Sequence, residues 1–221
     1  MALENRMSMK YVTTATMFLS AISAFSAVAE ESAPAVSAPN LKIDAVAGAL
    51  SGGPAVLGGM TGTAPLGHDF GVQLDAAVGS ADRDMRGGFA GHLFYRDPHS
   101  MLLGVTGMWS NIGGPQAGAQ SDIRRVGAEA EFYFGDFSVL PSVGVQNDHA
   151  DSTGYASLGG IYYATPNLAL GASVSGVANS RAVQTGLEYR PDSGGSMSYL
   201  VDMGMGNEGP AFLLAGVRFS F

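Results

Sequence analysis

Apolar and polar residues alternate along most of the chain beyond residue 40, and a period of two puts the two sets on opposite faces of an extended strand. The sharpest case is Ile123 to Phe134, with Val126, Ala128, Ala130, Phe132 and Phe134 facing one way and Arg125, Gly127, Glu129, Glu131 and Tyr133 the other. Phe70 to Gly79 repeats the pattern, setting Phe70, Val72, Leu74, Ala76 and Val78 against Gly71, Gln73, Asp75 and Ala77. Gly87 to Arg96 opposes Phe89, Gly91, Leu93 and Tyr95 to Ala90, His92, Phe94 and Arg96. Further alternating runs cover Met101 to Ser110, Val139 to Gln146, Leu168 to Val177, Arg181 to Arg190, Met197 to Met205 and Phe212 to Phe221. Three segments are less regular: a first hairpin of Leu41 to Leu50 and Pro54 to Thr63, whose second strand shows no clean face, and Gly154 to Ala164, whose facing is ambiguous.

These runs make about twelve strands, or ten without the first hairpin. Turn residues separate them: Ala64 to His68, Asp97-Pro98, Gly135-Asp136, Thr165-Pro166-Asn167 and Pro191 to Gly195 on one side. Longer polar segments, Ser80 to Arg86, Asn111 to Ser121 and Asn147 to Thr153, lie on the other. Pro141 falls inside a strand, where its missing N–H predicts a bulge.

Charge decides what the two faces meet. Lys42, Asp44, Asp75, Arg96, Arg125, Glu129, Glu131, Glu188, Arg190, Asp202 and Arg218, with His92, Gln73 and Gln184, all fall on the face opposite the apolar one. A face rich in Leu, Val and Phe toward lipid and a charged face toward a lumen is the pattern of a membrane-spanning β-barrel. Every apolar run after Ala29 is broken within a few residues by Gly or a charge, so a helix-spanning design is excluded. A closed barrel is the remaining way to satisfy every backbone group in lipid. Aromatic residues near strand ends, Tyr95, Trp109, Phe132, Phe134, Tyr162, Tyr163, Tyr189, Phe219 and Phe221, would form interfacial girdles. The final strand, with Phe219 and Phe221 on its apolar face, resembles the C-terminal strand of Gram-negative outer-membrane barrels. That resemblance implies that these residues belong to the signal read by the barrel-assembly machinery, with periplasmic chaperones and outer-membrane lipid as further partners. An even strand count puts both barrel ends in the periplasm, the proline-rich turns on that side and the longer polar segments outside.

Composition agrees. The 221 residues are 46% hydrophobic and only 14% charged, with 32 Gly and no Cys, so a disulfide framework and thiolate metal sites are excluded. A net charge of −8 argues against nucleic acid as a partner. At the start, Arg6 and Lys10 precede an apolar run from Met17 to Val28 that closes on Ala27-Val28-Ala29. This predicts a secretory signal peptide over residues 1–29, cleaved after Ala29. Residues 30–40, acidic and rich in Pro and Ala, read as a flexible periplasmic leader, leaving 41–221 for the barrel.

The segments Pro65-Leu66-Gly67-His68-Asp69-Phe70-Gly71-Val72-Gln73-Leu74-Asp75 and Gly91-His92-Leu93-Phe94-Tyr95-Arg96-Asp97-Pro98 resemble those of small alphaproteobacterial outer-membrane β-barrel proteins described as porin-like. The resemblance spans roughly Leu41 to Phe221 and implies fold and location more than an activity. A lumen lined by Asp75, His92, Arg96, Arg125, Glu129, Glu131, Glu188, Arg190, Asp202 and Arg218 would pass small polar solutes passively, without a cofactor or metal. The same charges could instead pair and close the barrel, since about twelve strands lies between the ~8 that side chains fill and the ~16 that leave a channel. Arg125 and Arg96 are the expected ion partners of Glu129 and Glu131. A membrane lipid hydrolase is the more distant alternative, its one candidate cluster being His149 beside Asp148, Asp151 and Ser152 in an external loop that no strand holds in place.

Overall fold

A computed structural model describes residues 36–50, 53–81, 84–113, 121–148, 151–192, 195–207 and 211–221. The expected signal peptide, most of the expected leader and His149 lie outside the described residues.

Twelve antiparallel strands close into one barrel, each paired with its neighbours in sequence. They are β1 (Asn40–Leu50), β2 (Gly53–Leu66), β3 (Phe70–Ala81), β4 (Asp84–Asp97), β5 (Met101–Gly113) and β6 (Ser121–Phe134), then β7 (Phe137–Asp148), β8 (Asp151–Thr165), β9 (Leu168–Val177), β10 (Ser180–Tyr189), β11 (Met197–Gly206) and β12 (Phe212–Ser220). β1 and β12 form the seam, with Lys42 opposite Ser220 and Leu50 opposite Phe212. Phe221 and Leu41 exchange backbone hydrogen bonds below it, so both ends of the barrel chain meet at one rim. That rim is the termini end; the β1–β2, β3–β4 and later odd–even hairpins close the opposite, loop end.

The strands run further than the alternation indicates. Polar residues assigned to loops at 80–86, 111–121 and 147–153 pair as strand: Ala81 faces Asp84, Asn111 faces Asp122 and Asp148 faces Asp151. A lumen-facing row has no need to stay apolar, so polarity did not mark the strand ends. The first hairpin pairs along its whole length, from Asn40 opposite Thr63 to Leu50 opposite Gly53. Its second strand does have two faces: Ala55, Leu57, Gly59 and Thr61 are buried inside, while Val56 and Met60 are exposed outside.

The bulge expected at Pro141 is absent. Glu129 opposite Ser142 and Phe132 opposite Val139 keep one register across it, and pairing simply lapses at the intervening positions. The register shift lies instead between Tyr163 and Thr165, where β8 leaves β9 before the Pro166 turn. Tyr163, expected in a girdle, continues the inward row of Tyr155, Ser157, Gly159 and Ile161. The other girdle residues face outward. All of them but Trp109 join Phe70, Phe137 and Tyr199 in an aromatic band at the termini end, where Phe70 and Tyr95 meet edge to face at 5.8 Å. Toward the loop end the outward aromatics are Phe89 and Trp109, 5.4 Å apart. Between them the outer wall is aliphatic, with Leu74 65% exposed. In water that surface would be an aggregation site; its continuity around the wall fits lipid.

Candidate functional site: the barrel lumen

Register places the lumen's charges before any side chain chooses a partner. At the seam Asp44 lies directly opposite Arg218, and on the other side of β12 Arg218 lies opposite Ser198. Arg218 donates from Nε to Asp44 Oδ1 at 2.7 Å and from Nη2 to Oδ2 at 2.9 Å, a bidentate pair, and from Nη1 to Glu188 Oε2 at 2.8 Å. Arg218 is 1% exposed, Asp44 4% and Glu188 3%. Asp202 is buried beside them, and Arg190 approaches the other oxygen of Glu188 at 3.9 Å. A guanidinium's fixed fork suits this bridging role in a way an ammonium does not.

A second network crosses β2 to β6. Thr61, opposite Asp75, donates from Oγ1 to Asp75 Oδ1 at 2.6 Å, and Gln73 Nε2 donates to the same carboxylate. His92 Nε2 lies 3.0 Å from Asp75 Oδ2, an ion-pair contact without hydrogen-bond alignment, while Nδ1 lies 2.9 Å from both Glu129 oxygens. His92 and Glu129 sit on β4 and β6, with β5 between them. Gly104, opposite Glu129 on β5, is what lets the carboxylate through, because a Cβ there would stand 3.0 Å from Oε1.

The expected pairing of Glu129 with Arg125 is therefore corrected: the partner of Glu129 is His92. Arg125 and Glu129 are four positions apart on one strand, about 13 Å along the backbone. Arg125 instead donates from Nε to Gln146 Oε1 at 2.7 Å and stacks 4.7 Å from the centre of the Tyr155 ring. That ring has its place because Gly127, Gly144 and Tyr155 lie in one paired row; a Cβ on either glycine would overlap the ring. Arg96 is seated similarly, 5.5 Å from the Tyr133 ring centre, with Nε donating to the Tyr133 hydroxyl at 3.0 Å. Glu131 is buried nearby.

Burial is uneven around the lumen. From β10 through the seam to β4 the inward side chains are mostly inaccessible. Toward the loop end they include an apolar cluster of Val46, Leu57, Ala77, Phe212 and Leu214. Across from it, on β7 to β9, the inward face includes a patch of small residues: Ser142, Ser157, Gly159, Gly171, Ser173 and Ser175 are all partly exposed. An inward side chain in a closed sheet can be reached only from the lumen, so solvent follows this wall. Half-buried Arg96, Arg125 and Glu129 border it.

Sequence reasoning assigned Arg86 to a loop, whereas it points inward and is buried near the loop end of β4. It also passed over Thr61, Gln146 and Tyr155; the inward parity of Asp75 and Arg125, carried across each register, is the signal that finds them. Among the described residues no group of three His, Asp or Glu side chains is arranged to hold a metal. Asp148 and Asp151 end the β7–β8 hairpin opposite one another.

No protein-family model matches the chain, and no curated protein matches it. Solved structures do. The KdgM porin in complex with disordered oligogalacturonate superposes over 81% of this chain and 99% of its own, with a TM-score of 0.63 at 12% identity. The COG4313 outer membrane channel from Pseudomonas putida F1 covers 86% and 98%, with a TM-score of 0.57 at 12% identity. The translocator domain of the autotransporter NalP from Neisseria meningitidis covers 99% and 97%, with a TM-score of 0.51 at 9% identity. At such identity the likeness is one of fold: a closed, twelve-stranded antiparallel barrel of the outer-membrane kind.

Proposed function

We propose that this chain is an outer-membrane porin-like channel that passes small polar solutes passively along the serine- and glycine-lined wall of β7 to β9. The observation that carries this reading is the partial exposure of Ser142, Ser157, Ser173 and Ser175, which face inward and have water nowhere but in the lumen. The fold shared with the KdgM porin and the COG4313 channel supports it. In this reading Asp75, His92, Arg96, Arg125, Glu129, Glu131, Glu188, Arg190, Asp202 and Arg218 line or brace the lumen. Residues 1–29 are a cleaved leader, 30–40 a periplasmic leader, and the termini end faces the periplasm. Phe219 and Phe221 belong to the signal that delivers the barrel to the assembly machinery, and no step is catalytic.

A second reading has its own observation. The buried Arg218 cluster and the apolar cluster above it fill the lumen from β10 to β4, as a closed structural barrel would require. Planar-bilayer recording of the refolded protein separates the two. Discrete conductance steps, reduced in a Ser173→Trp variant that narrows the exposed wall, support the channel. Silence from protein whose electrophoretic mobility still changes on boiling supports the closed barrel.

A further inference from the structure

The outer wall is not apolar from rim to rim, and its cations lie at one end. Among the described basic residues Lys42, Arg86, Arg96, Arg125, Arg190 and Arg218 face the lumen, while Arg124 and Arg181 face out, both toward the loop end. Parity fixes the direction of Arg124: it stands between inward Ile123 and Arg125 on β6, two positions from exposed Val126. Register then fixes its neighbours. Trp109 of β5 lies directly opposite it on one side and Asn147 of β7 on the other, with Ser152 of β8 beyond Asn147. One row of the outer wall thus sets an indole, a guanidinium, a carboxamide and a hydroxyl side by side, each about 5 Å from the next. Arg124, Asn147 and Ser152 are exposed, and Arg124 makes no ion pair among the described residues. Asp122, two positions nearer the loop on the same strand, is half-buried and has an interaction of its own. Arg181, one residue inside the β9–β10 hairpin, is also exposed. At the termini end Tyr162, Tyr189 and Tyr199 face out with no outward cation among the described residues.

From this we infer that the row of Trp109, Arg124, Asn147 and Ser152 is a lipid-binding site that holds a phosphate of an outer-leaflet glycolipid headgroup. The inference rests on the outer-membrane reading with the loop end outside, and it does not need an open lumen. An indole on the lipid face marks the depth of the interface, so the guanidinium beside it sits among headgroups, where a charge is tolerated, and not in the hydrocarbon, where it is costly. A phosphate is acceptor-only, and the row answers it with donors: the guanidinium fork, the Asn147 amide and the Ser152 hydroxyl. No carboxylate stands in the row to repel it. Lipid is the occupant that also accounts for the residues beneath. Val126, Val143 and Val145 are exposed on the same strands below the row, and acyl chains attached to the bound headgroup would cover them, whereas a free anion would leave them bare. The one-sided placement of Arg124 and Arg181 matches a membrane whose outer leaflet is built from phosphorylated glycolipid and whose inner leaflet is not.

Trp109 is the chain's single tryptophan and stands in the row, so its emission reads occupancy. The test is a titration of the refolded barrel, in neutral detergent, with lipid A carrying both phosphates and with lipid A stripped of them. Emission should shift saturably with the first and not with the second. Arg124→Gln should weaken binding about tenfold, the loss of a charge-assisted contact, and Arg124→Lys should weaken it less. Asn147→Ala, which leaves the cation in place, should weaken it severalfold and carries the test if the first variant does not refold. Equal binding of the stripped lipid, or an Arg124→Gln variant that binds as tightly as wild type, would overturn the inference. So would an equal loss from Arg181→Gln, four strands away, which would mean diffuse attraction to charge with no site. A shift produced by inorganic phosphate alone would overturn the assignment to lipid. Planar-bilayer conductance of Arg124→Gln should match wild type, because the residue lies outside the lumen. A silent barrel that still binds phosphorylated lipid A through Arg124 would support this inference and overturn only the channel.

Discussion

Replacing Arg218 with Met should be among the most damaging single changes available to this barrel. Met approximates the length of the arginine stem but offers no charge and no donor. The change removes the bidentate bond to Asp44 and the bond to Glu188, leaving two carboxylates at 4% and 3% exposure without their main counter-charge, beside a third at Asp202. Breaking a buried ion pair by deleting one partner costs about 3–5 kcal/mol, because the orphaned charge keeps its desolvation penalty. With an unfolding slope of about 2 kcal/mol per molar urea, the midpoint should fall by about 1.5–2.5 M. The single tryptophan, Trp109, faces outward against Phe89 and reports the transition through its emission as lipid or detergent contact is lost. A triple variant, Arg218→Met with Asp44→Asn and Glu188→Gln, should recover most of the loss, since neutral amides of the same shape carry no comparable penalty. Lys42 and Arg190 lie near enough to soften the single change, which argues for the lower end of the range. An R218M midpoint within experimental error of wild type, or a triple variant no more stable than R218M, would refute the claim that this cluster is held by charge compensation.

Gly104→Ala places a Cβ 3.0 Å from Glu129 Oε1, with the Leu93 carbonyl and Phe94 Cβ close behind, so it should detach Glu129 from His92 at a cost of about 1–3 kcal/mol. Urea titration measures it, and a Glu129→Gln background should reduce the effect. Leu74→Arg, on the lipid face near the middle of β3, should cost about 2–4 kcal/mol, whereas Ser175→Arg on the exposed inner wall should cost far less and lower conductance. Similar costs for the two would contradict the face assignment. Phe221→Ala should lower the fraction of protein recovered in the outer-membrane fraction of expressing cells, with no comparable loss when Phe137, an exposed aromatic of the same band, is changed.

Where the two faces of a strand differ in polarity, the sequence alone is sufficient. Asp75, Glu129, Glu131 and Arg218 all betray their strands' orientation because their outward neighbours are Leu, Val, Ala or Phe. β2 was opaque for the complementary reason. Its inner face carries Ala55 and Leu57, which pack into the apolar side of the lumen, so both faces look lipid-like and the period of two vanishes. β8 fails similarly, with Tyr155 and Ile161 inside and Leu158 and Tyr162 outside. Pro141 misled because a bulge is only one answer to a missing donor; here the ladder lapses and the register survives. Partners are a different matter from faces. Glu129 finding His92 across an intervening glycine depends on the stagger of three strands, and Arg218 bonding a residue 174 positions away depends on closure. Periodicity within a strand carries neither quantity.

The seam also imposes an order in time. Asp44 belongs to the first strand of the barrel and Arg218 to the last, so during N-to-C synthesis the acid is present long before its base. Until β12 docks, β1 offers an open edge, and Glu188 and Asp202 gather at the far side of the gap with no counter-charge from Arg218. A chain cut short anywhere before residue 218 can therefore neither complete its backbone pairing nor bury these carboxylates cheaply.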